Sequence, residues 1–538
     1  MDINFMSTTM GGLLEKRAKE NPDKTYVLFE PDIQISYGMF NAKVNQVANS
    51  LLKRGIRKGD RVGLFMKNCP EFLYLYFATA KIGAIMVPMN FGYPTEELQY
   101  AVNHSELPIL FSSAHLQKTV LEAMPNCPKL KEVVFAGEEP APGYCKLDEF
   151  IDNASTDLGK KDVLADDIVS ICYTSGTTAR PKGVMLRQRS YLLAAQFWTE
   201  PMECASSDRL MGFFPLFHAN VGVYVVMGAM LQNASAVILE TFSVNQHWEK
   251  VRKYGVTEFN TVGSILAMLF AQPETPQDRD NPVRIIMNGI NAGSIKDKFE
   301  KRFNLKILDV YSLTEFITGT TEKLSDLTTR TPGRLFTIGR PADGIKLKIV
   351  SDEGTEVPPG EVGEIALQGP SMTAGYWKDP ETTAKAIKDD WFHSGDNAYR
   401  DEEGFLYFAD RKKDMIKRRG ENIASGEVER VLNSHPKIQE SAVIGVPDMY
   451  ADEEVKAFII LKPGETLAPE EIIDYCLEFL VPFKVPRYIE FRNSFPRPAA
   501  ISKILKTELR KEIPDPSKVY DRGSKLPKKK AVPSQAIK

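Results

Sequence analysis

At 538 residues the chain has room for roughly three to four domain-sized units, and a hydrophobic content of 43% supplies a large core. A formal net charge of −3 excludes a global electrostatic case for nucleic acid or an anionic membrane, so an anionic ligand must be held by locally placed Lys and Arg. Six cysteines, Cys69, Cys127, Cys145, Cys172, Cys204 and Cys476, lie far apart without a CxxC pair, which argues against a structural metal and for reduced thiols in a cytosol.

In chain order, Phe40, Val44, Val47, Ala48, Leu51 and Leu52 keep helical spacing up to Gly55, and Val62 to Met66 follows as a strand. Phe72 to Ile82 reads as a helix buried on more than one face and Ala84 to Val87 as the next strand, the alternation of a parallel α/β sheet. Ile168, Val169, Ile171 and Tyr173 form a further strand, after which hydroxyls and a glycine replace the apolar residues in YTSGTTARPKG, Tyr173 to Gly183. Gly176 lets backbone approach an anion, Thr174, Ser175, Thr177 and Thr178 offer donors, and Lys182 adds a positive charge, a set suited to ATP phosphates. A Walker P-loop is excluded because Pro181 precedes Lys182 and Gly183 follows it, and a dinucleotide fingerprint is excluded because its three spaced glycines are missing.

The longest apolar run, Val221 to Leu231, is too short to span a bilayer, and no basic stretch with an apolar run opens the chain, so a cytoplasmic protein without a transmembrane segment is expected. Just before that run, His218 lies beside Phe217, an arrangement typical of a packed or hydrogen-bonded histidine. Leu305 to Val310 is a strand leading into YSLTE, Tyr311 to Glu315, where open α/β sheets hold ligands. Short strands follow from about Ile345, at Lys346 to Val350, Glu364 to Leu367 and Phe405 to Phe408, and predict a small β-subdomain over about 340–410. Within it Ser394-Gly395-Asp396 has the composition of a turn. Beyond DRKKDMIKRRGEN, a helix around Val428 to Leu432, strands at Ser441 to Val446 and Val455 to Leu461, and a helix at Glu470 to Phe479 predict a compact α+β domain. The tail over 517–538, rich in Lys, Pro and Ser, is expected to be disordered. Its internal Ser524-Lys525-Leu526 is an accidental match to a peroxisomal address.

Taken together and in this order, YTSGTTARPKG, FFPLFHANVG, YSLTE, WFHSGDNAYR, DRKKD and FPRPAAISKILK resemble the motifs of the adenylate-forming superfamily over residues 10 to 515. The segments FHANVG, DRKKDMIKRRGEN and KVPRYIEF look closest to acyl-CoA ligases of the carnitine and crotonobetaine type. The resemblance implies an α/β fold with a large N-terminal body (1–412, including the β-subdomain), a smaller mobile α+β domain (413–516), and a hinge at Lys413.

It also implies roles. Tyr311 stacks on adenine, Asn288 donates to adenine, Thr314 contacts the α-phosphate and Glu315 binds Mg2+; Asp396 and Arg411 meet the ribose, and Lys417 is a further nucleotide-binding residue. His218 orients or gates the acid, and Lys503 bridges its carboxylate to the α-phosphate. Three departures stand out: Ser312 replaces the usual glycine at the acyl site, Met287-Asn288-Gly289-Ile290-Asn291 stands where relatives show a Gly-Ala-Pro-like run lining the adenine site, with the Asn288 amide still able to donate there, and Ile501-Ser502 replace Thr-Gly before Lys503. The implied activity is an ATP-dependent ligase joining a small carboxylic acid to coenzyme A through acyl-AMP, with no acyl-enzyme. Loading of a carrier protein from acyl-AMP, or nucleotide binding by a regulator with a weakened site, are the alternatives, and a homo-oligomer is compatible with the sequence.

Overall fold

The computed structural model describes residues 4–137, 140–174, 180–289, 295–411, 414–418, 421–448, 452–497, 504–512 and 515–523. The chain divides into two compact units, Met1–Leu347 with Ala366–His393, and Lys348–Ile365 with Ser394–Lys538.

The larger unit is built on two sheets. In the seven-stranded sheet, Glu132–Ala136, Ile109–Ser113, Arg61–Phe65, Ile85–Pro88 and Ile168–Thr174 run parallel, and Lys182–Arg187 turns back antiparallel at the edge. In the nine-stranded sheet, Lys306–Tyr311, Ile285–Gly289, Glu258–Val262, Arg209–Gly212, Ser235–Ile238 and Thr25–Phe29 are parallel, with antiparallel strands at both edges. Strands such as Ile85–Pro88 and Ser235–Ile238 are buried along their whole length, as sheets covered on both faces require. The helix Tyr37–Lys53 starts at Ser36, whose hydroxyl accepts the Met39 N–H, and it buries Phe40, Val44, Val47, Ala48 and Leu51. The helix Pro70–Ile82, apolar on nearly every face, lies in the same core, and both match the sequence reading.

The smaller unit has its own core. The strand Asp452–Leu461 pairs antiparallel with Ile438–Asp448 and parallel with Tyr488–Phe491, while the helices Ser425–Asn433 and Pro469–Phe479 contribute Val428, Leu432, Ile472 and Cys476.

Two expectations need correction here. The tail does not become irregular at 517: Val519–Asp521 forms a strand antiparallel to Tyr488–Phe491, with Arg487 Nε and Nη2 held 3.0 and 3.2 Å from the two Asp521 oxygens. A three-residue edge strand has no periodicity to detect, and pairing rather than propensity forms it. Residues 524–538, including Ser524-Lys525-Leu526, lie outside the described residues. Nor is Ser394-Gly395-Asp396 a reversal: it lies within the strand Trp391–Arg400, where Gly395 takes φ +71° without ending the pairing.

Among the described residues no helix is long and apolar enough to cross a membrane. The apolar run from Val221 is instead part of a π-helix, Asn220–Met227, followed by the short α-helix Gly228–Gln232, both buried against the helix Gln188–Thr199.

Candidate active site

The polar hairpin is carried by Ile168–Thr174 and Lys182–Arg187, paired so that Thr174 faces Lys182 across its mouth. Ser175, Gly176, Thr177 and Thr178 lie outside the described residues. A second segment lies against this hairpin. Trp377 N–H donates to the Gly183 carbonyl at 2.7 Å, Ala374 N–H to Met185 at 2.9 Å, and Met185 N–H to Gly375 at 3.0 Å. Gly183 also keeps the hairpin itself tight, since a Cβ there would come within 2.7 Å of Ile171 on the facing strand.

The same segment reaches YSLTE. Thr373 N–H donates to the Glu315 carbonyl at 2.8 Å, and the Tyr376 hydroxyl donates to Glu315 Oε1 at 2.9 Å. Lys182 Nζ sits 5.4 Å from the centroid of the Tyr376 ring. Tyr376 therefore joins the hairpin lysine to the acidic residue, two groups separated by 133 positions in the chain. Sequence reasoning missed it, because residues 372–377 are irregular and the only signal was a Gly-Tyr-Trp run without a period.

YSLTE takes its shape from its flanks. Tyr311 ends the strand Lys306–Tyr311 and pairs with Thr320, a return made possible by Gly319, whose hypothetical Cβ would lie 2.1 Å from the Tyr311 carbonyl oxygen. Leu313 and Phe316 exchange backbone hydrogen bonds of 3.2 Å, which sets Thr314 and Glu315 at the tip of a tight turn.

Beneath the turn, Ser312 and Tyr224 are coupled. The Tyr224 hydroxyl lies 3.0 Å from the Ile317 carbonyl and 2.9 Å from Ser312 Oγ. A hydroxyl has one proton; with Tyr224 donating to the carbonyl, Ser312 must donate to Tyr224. The Tyr224 ring stacks on Trp198 at 4.1 Å, whose indole donates to Asn260 Oδ1 at 2.7 Å, and Asn260 in turn donates to the Asn220 carbonyl at 3.2 Å.

His218 packs on Phe217 with ring centroids 4.4 Å apart, and burial lowers its pKa to about 4. Burial thus favours the neutral imidazole at pH 7.

Asn288 is fully buried, and its Nδ2 donates to Asp309 Oδ1 at 2.6 Å. One donor of the amide read as an adenine contact thus bonds a buried ion cluster, in which Lys296 Nζ lies 2.6 Å from Asp309 and also bonds Glu322. Lys296 was another residue that sequence reasoning missed; its spacing to Phe299 and Phe303 on the buried side of one helix was the available signal.

In the smaller unit, Asp396 and Arg411 face each other in adjacent strands, Asp396 nearly buried and Arg411 Nε 3.8 Å from its carboxylate. The next carboxylate, Asp410, accepts from Ser425 Oγ at 2.6 Å and from Gly426 N–H at 3.2 Å, and so caps the helix Ser425–Asn433. Lys417 is exposed on the strand Ile416–Arg418, its N–H bonded to Glu453. Lys413 and Lys503 lie outside the described residues.

Cys204, Asp208 and Glu258 are close enough to suggest a cation site, but Arg284 bonds both carboxylates and already supplies the positive charge there.

The model of the AMP-binding enzyme family matches residues 14–377, and that of the AMP-binding enzyme C-terminal domain matches residues 427–503. The chain belongs to the AMP-binding enzyme family. This AMP-binding enzyme is 36% identical over 501 residues to a crotonobetaine/carnitine–CoA ligase of Salmonella typhimurium, covering 91% of this chain and 96% of that protein. Among solved structures it resembles an anthranilate CoA ligase in complex with anthranoyl-AMP (TM-score 0.86, 27% identity, 95% of this chain and 98% of that one). It also resembles the o-succinylbenzoate CoA synthetase of Bacillus subtilis in complex with its acyl-adenylate (TM-score 0.80, 25% identity, 94% and 99%).

Proposed function

We propose that this AMP-binding enzyme is an ATP-dependent acid:CoA ligase. A carboxylate oxygen of the acid attacks the α-phosphorus of ATP, the bond to the β-phosphate breaks, and acyl-AMP and pyrophosphate form. The thiol of coenzyme A then attacks the acyl carbon, loses its proton, and expels AMP. The observation that carries this reading is the joining of Lys182 to Glu315 through Tyr376, which sets a cation and a hard carboxylate donor on one scaffold.

Lys182 and the hydroxyls of Thr174, Ser175, Thr177 and Thr178 hold the β- and γ-phosphates in this reading, and Thr314 holds the α-phosphate. Glu315 fits Mg2+, since its carboxylate offers hard oxygen donors and is steered by the Tyr376 hydroxyl. When bound, Mg2+ supplies positive charge that offsets the phosphate oxygens. Tyr311 stacks on adenine, Asp396 and Arg411 hold the ribose, and Lys417 approaches the nucleotide. Lys503 draws the acid's carboxylate toward the α-phosphate and is withdrawn before the thiol attacks, by rotation of the C-terminal domain about Lys413.

His218, neutral, orients the carboxylate. The absence of an added carboxylate at that position and the similarity to crotonobetaine/carnitine–CoA ligases support a small acid without a free α-ammonium as substrate. Six unpaired cysteines support a cytosolic location.

The test is a panel of short, medium, branched, aromatic and betaine-like acids assayed for CoA-dependent AMP release. Release that requires both acid and CoA supports the reading; ATP turnover indifferent to every acid overturns it.

A further inference from the structure

The two legs of the polar hairpin are gripped from one side by a single helix, Thr95–Ser105, to which no role in the reaction has been assigned. Tyr173, the residue before Thr174, brings its hydroxyl to 2.8 Å from His104 Nδ1. On the returning leg, the Arg180 guanidinium carbon lies 5.3 Å from the centroid of the Tyr100 ring, and the Tyr100 hydroxyl donates to the Pro181 carbonyl at 3.1 Å. Tyr100 and His104 are one helical turn apart, and their rings stack, with centroids 5.2 Å apart and planes inclined by 18°. The stack is tied in place from behind, where Trp377 Nε1 donates to the His104 carbonyl at 3.0 Å.

The chemistry of these contacts bears on Lys182. The Pro181 carbonyl belongs to the peptide that enters Lys182, so the Tyr100 hydrogen bond fixes the plane from which that lysine starts. Proline already restricts φ at 181, leaving this peptide plane as the main freedom of the leg. Arg180 is exposed and only two positions from Lys182, yet its charge rests on an aromatic face. An arginine held in this way anchors the loop.

We propose that Tyr100 and His104 are positioning residues for ATP: the Tyr100–His104 stack clasps both ends of the phosphate-binding hairpin and thereby sets Lys182 for the β- and γ-phosphates. This rests on the reading that the hairpin holds ATP.

The experiment is a double-mutant cycle of Tyr100→Leu and Arg180→Met on the full chain, read first by equilibrium titration with Mg2+–ATP in the absence of acid. Each single substitution should weaken ATP binding roughly five- to tenfold, and the double variant should be no weaker than the more affected single one. Tyr100→Trp, which keeps an aromatic face but loses the hydroxyl bonded to the Pro181 carbonyl, should restore the cation contact and only part of the affinity. In the acid-dependent pyrophosphate exchange, the KM for ATP should rise while the KM for the acid stays unchanged. CoA transfer from supplied acyl-AMP should also be unaffected.

Wild-type ATP affinity in Arg180→Met and Tyr100→Leu, or losses that multiply in the double variant, would overturn the clasp. So would a proportionate fall in all kinetic constants accompanying a lower unfolding midpoint. Arg180→Met removes only an exposed side chain and keeps the test valid if Tyr100→Leu does not fold. Because the titration needs no acid, a failure of the ligase reading appears separately, as wild-type ATP binding without acyl-AMP formation.

Discussion

The Tyr376 hydroxyl lies 2.9 Å from Glu315 Oε1, and the same ring receives Lys182 at 5.4 Å, so one phenol orients the proposed metal ligand and a proposed phosphate ligand together. Tyr376→Phe keeps the ring and removes the donor to Glu315. A hydrogen bond to a charged group contributes about 1.5–3 kcal/mol, so the Mg2+ concentration for half-maximal pyrophosphate exchange should rise roughly tenfold with the fold intact. An unchanged Mg2+ curve would separate Tyr376 from the metal site.

The Ser312–Tyr224 bond predicts an effect on the acid rather than on ATP. Tyr224→Phe leaves Ser312 and the buried Ile317 carbonyl without this partner, which should cost about 1–3 kcal/mol of stability and raise the KM for the acid. Ser312→Gly removes the hydroxyl and should broaden the range of acids accepted while the KM for ATP holds. Urea unfolding and steady-state kinetics over the acid panel check both; a change confined to ATP would contradict the assignment.

The buried cluster of Lys296, Asp309 and Glu322 is structural. Lys296→Met strands two carboxylates in the core and should destabilise the protein by about 3–5 kcal/mol. A loss below about 1 kcal/mol in chemical unfolding would show that the carboxylates take up protons at little cost.

The pH dependence of stability should follow His247. This ring is 1% exposed among Phe213, Phe242, Trp248 and Phe259, neither nitrogen has a hydrogen-bond partner among the described residues, and burial lowers its pKa to about 3. Below about pH 6.5 the unfolded chain binds a proton that the folded chain refuses, so stability falls as pH drops from there toward 3. Between pH 7 and 5 the loss is about 2 kcal/mol from this group. His218 adds a loss of the same sign down to about pH 4. His247→Phe should remove its own share, measured as the difference in urea midpoints at pH 7 and pH 5; an unaltered difference would contradict the assignment.

Much of the fold was legible because it is written in local runs and spacings of apolar residues. The spacing of Phe40 to Leu52 gives the helix Tyr37–Lys53, and the β-rich run before Thr174 gives the strand Ile168–Thr174. What escaped depends on partners distant in sequence. Lys296 reads as a solvated lysine until Asp309 and Glu322 are brought to it, and Tyr376 has no meaning until its segment is laid against the hairpin. Asp396 shows the limit from the other side: its glycine neighbour suggests a turn, whereas pairing opposite Arg411 keeps the strand extended through a residue of positive φ. In the same way, an apolar run such as Val221 to Leu231 carries no sign of the wider π-helical winding that brings Tyr224 to Ser312.

The central claim is that the acid is activated as acyl-AMP, and isotope transfer tests it most directly. An acid that supports turnover, labelled with oxygen-18 in its carboxylate, is converted with ATP and coenzyme A, and the products are analysed by mass spectrometry. Attack of the carboxylate on the α-phosphorus, followed by thiol displacement, leaves one labelled oxygen in AMP and none in pyrophosphate. Label in inorganic phosphate would reveal an acyl-phosphate route, and unlabelled AMP would mean that the acid never bonded to the nucleotide; either result would contradict the account.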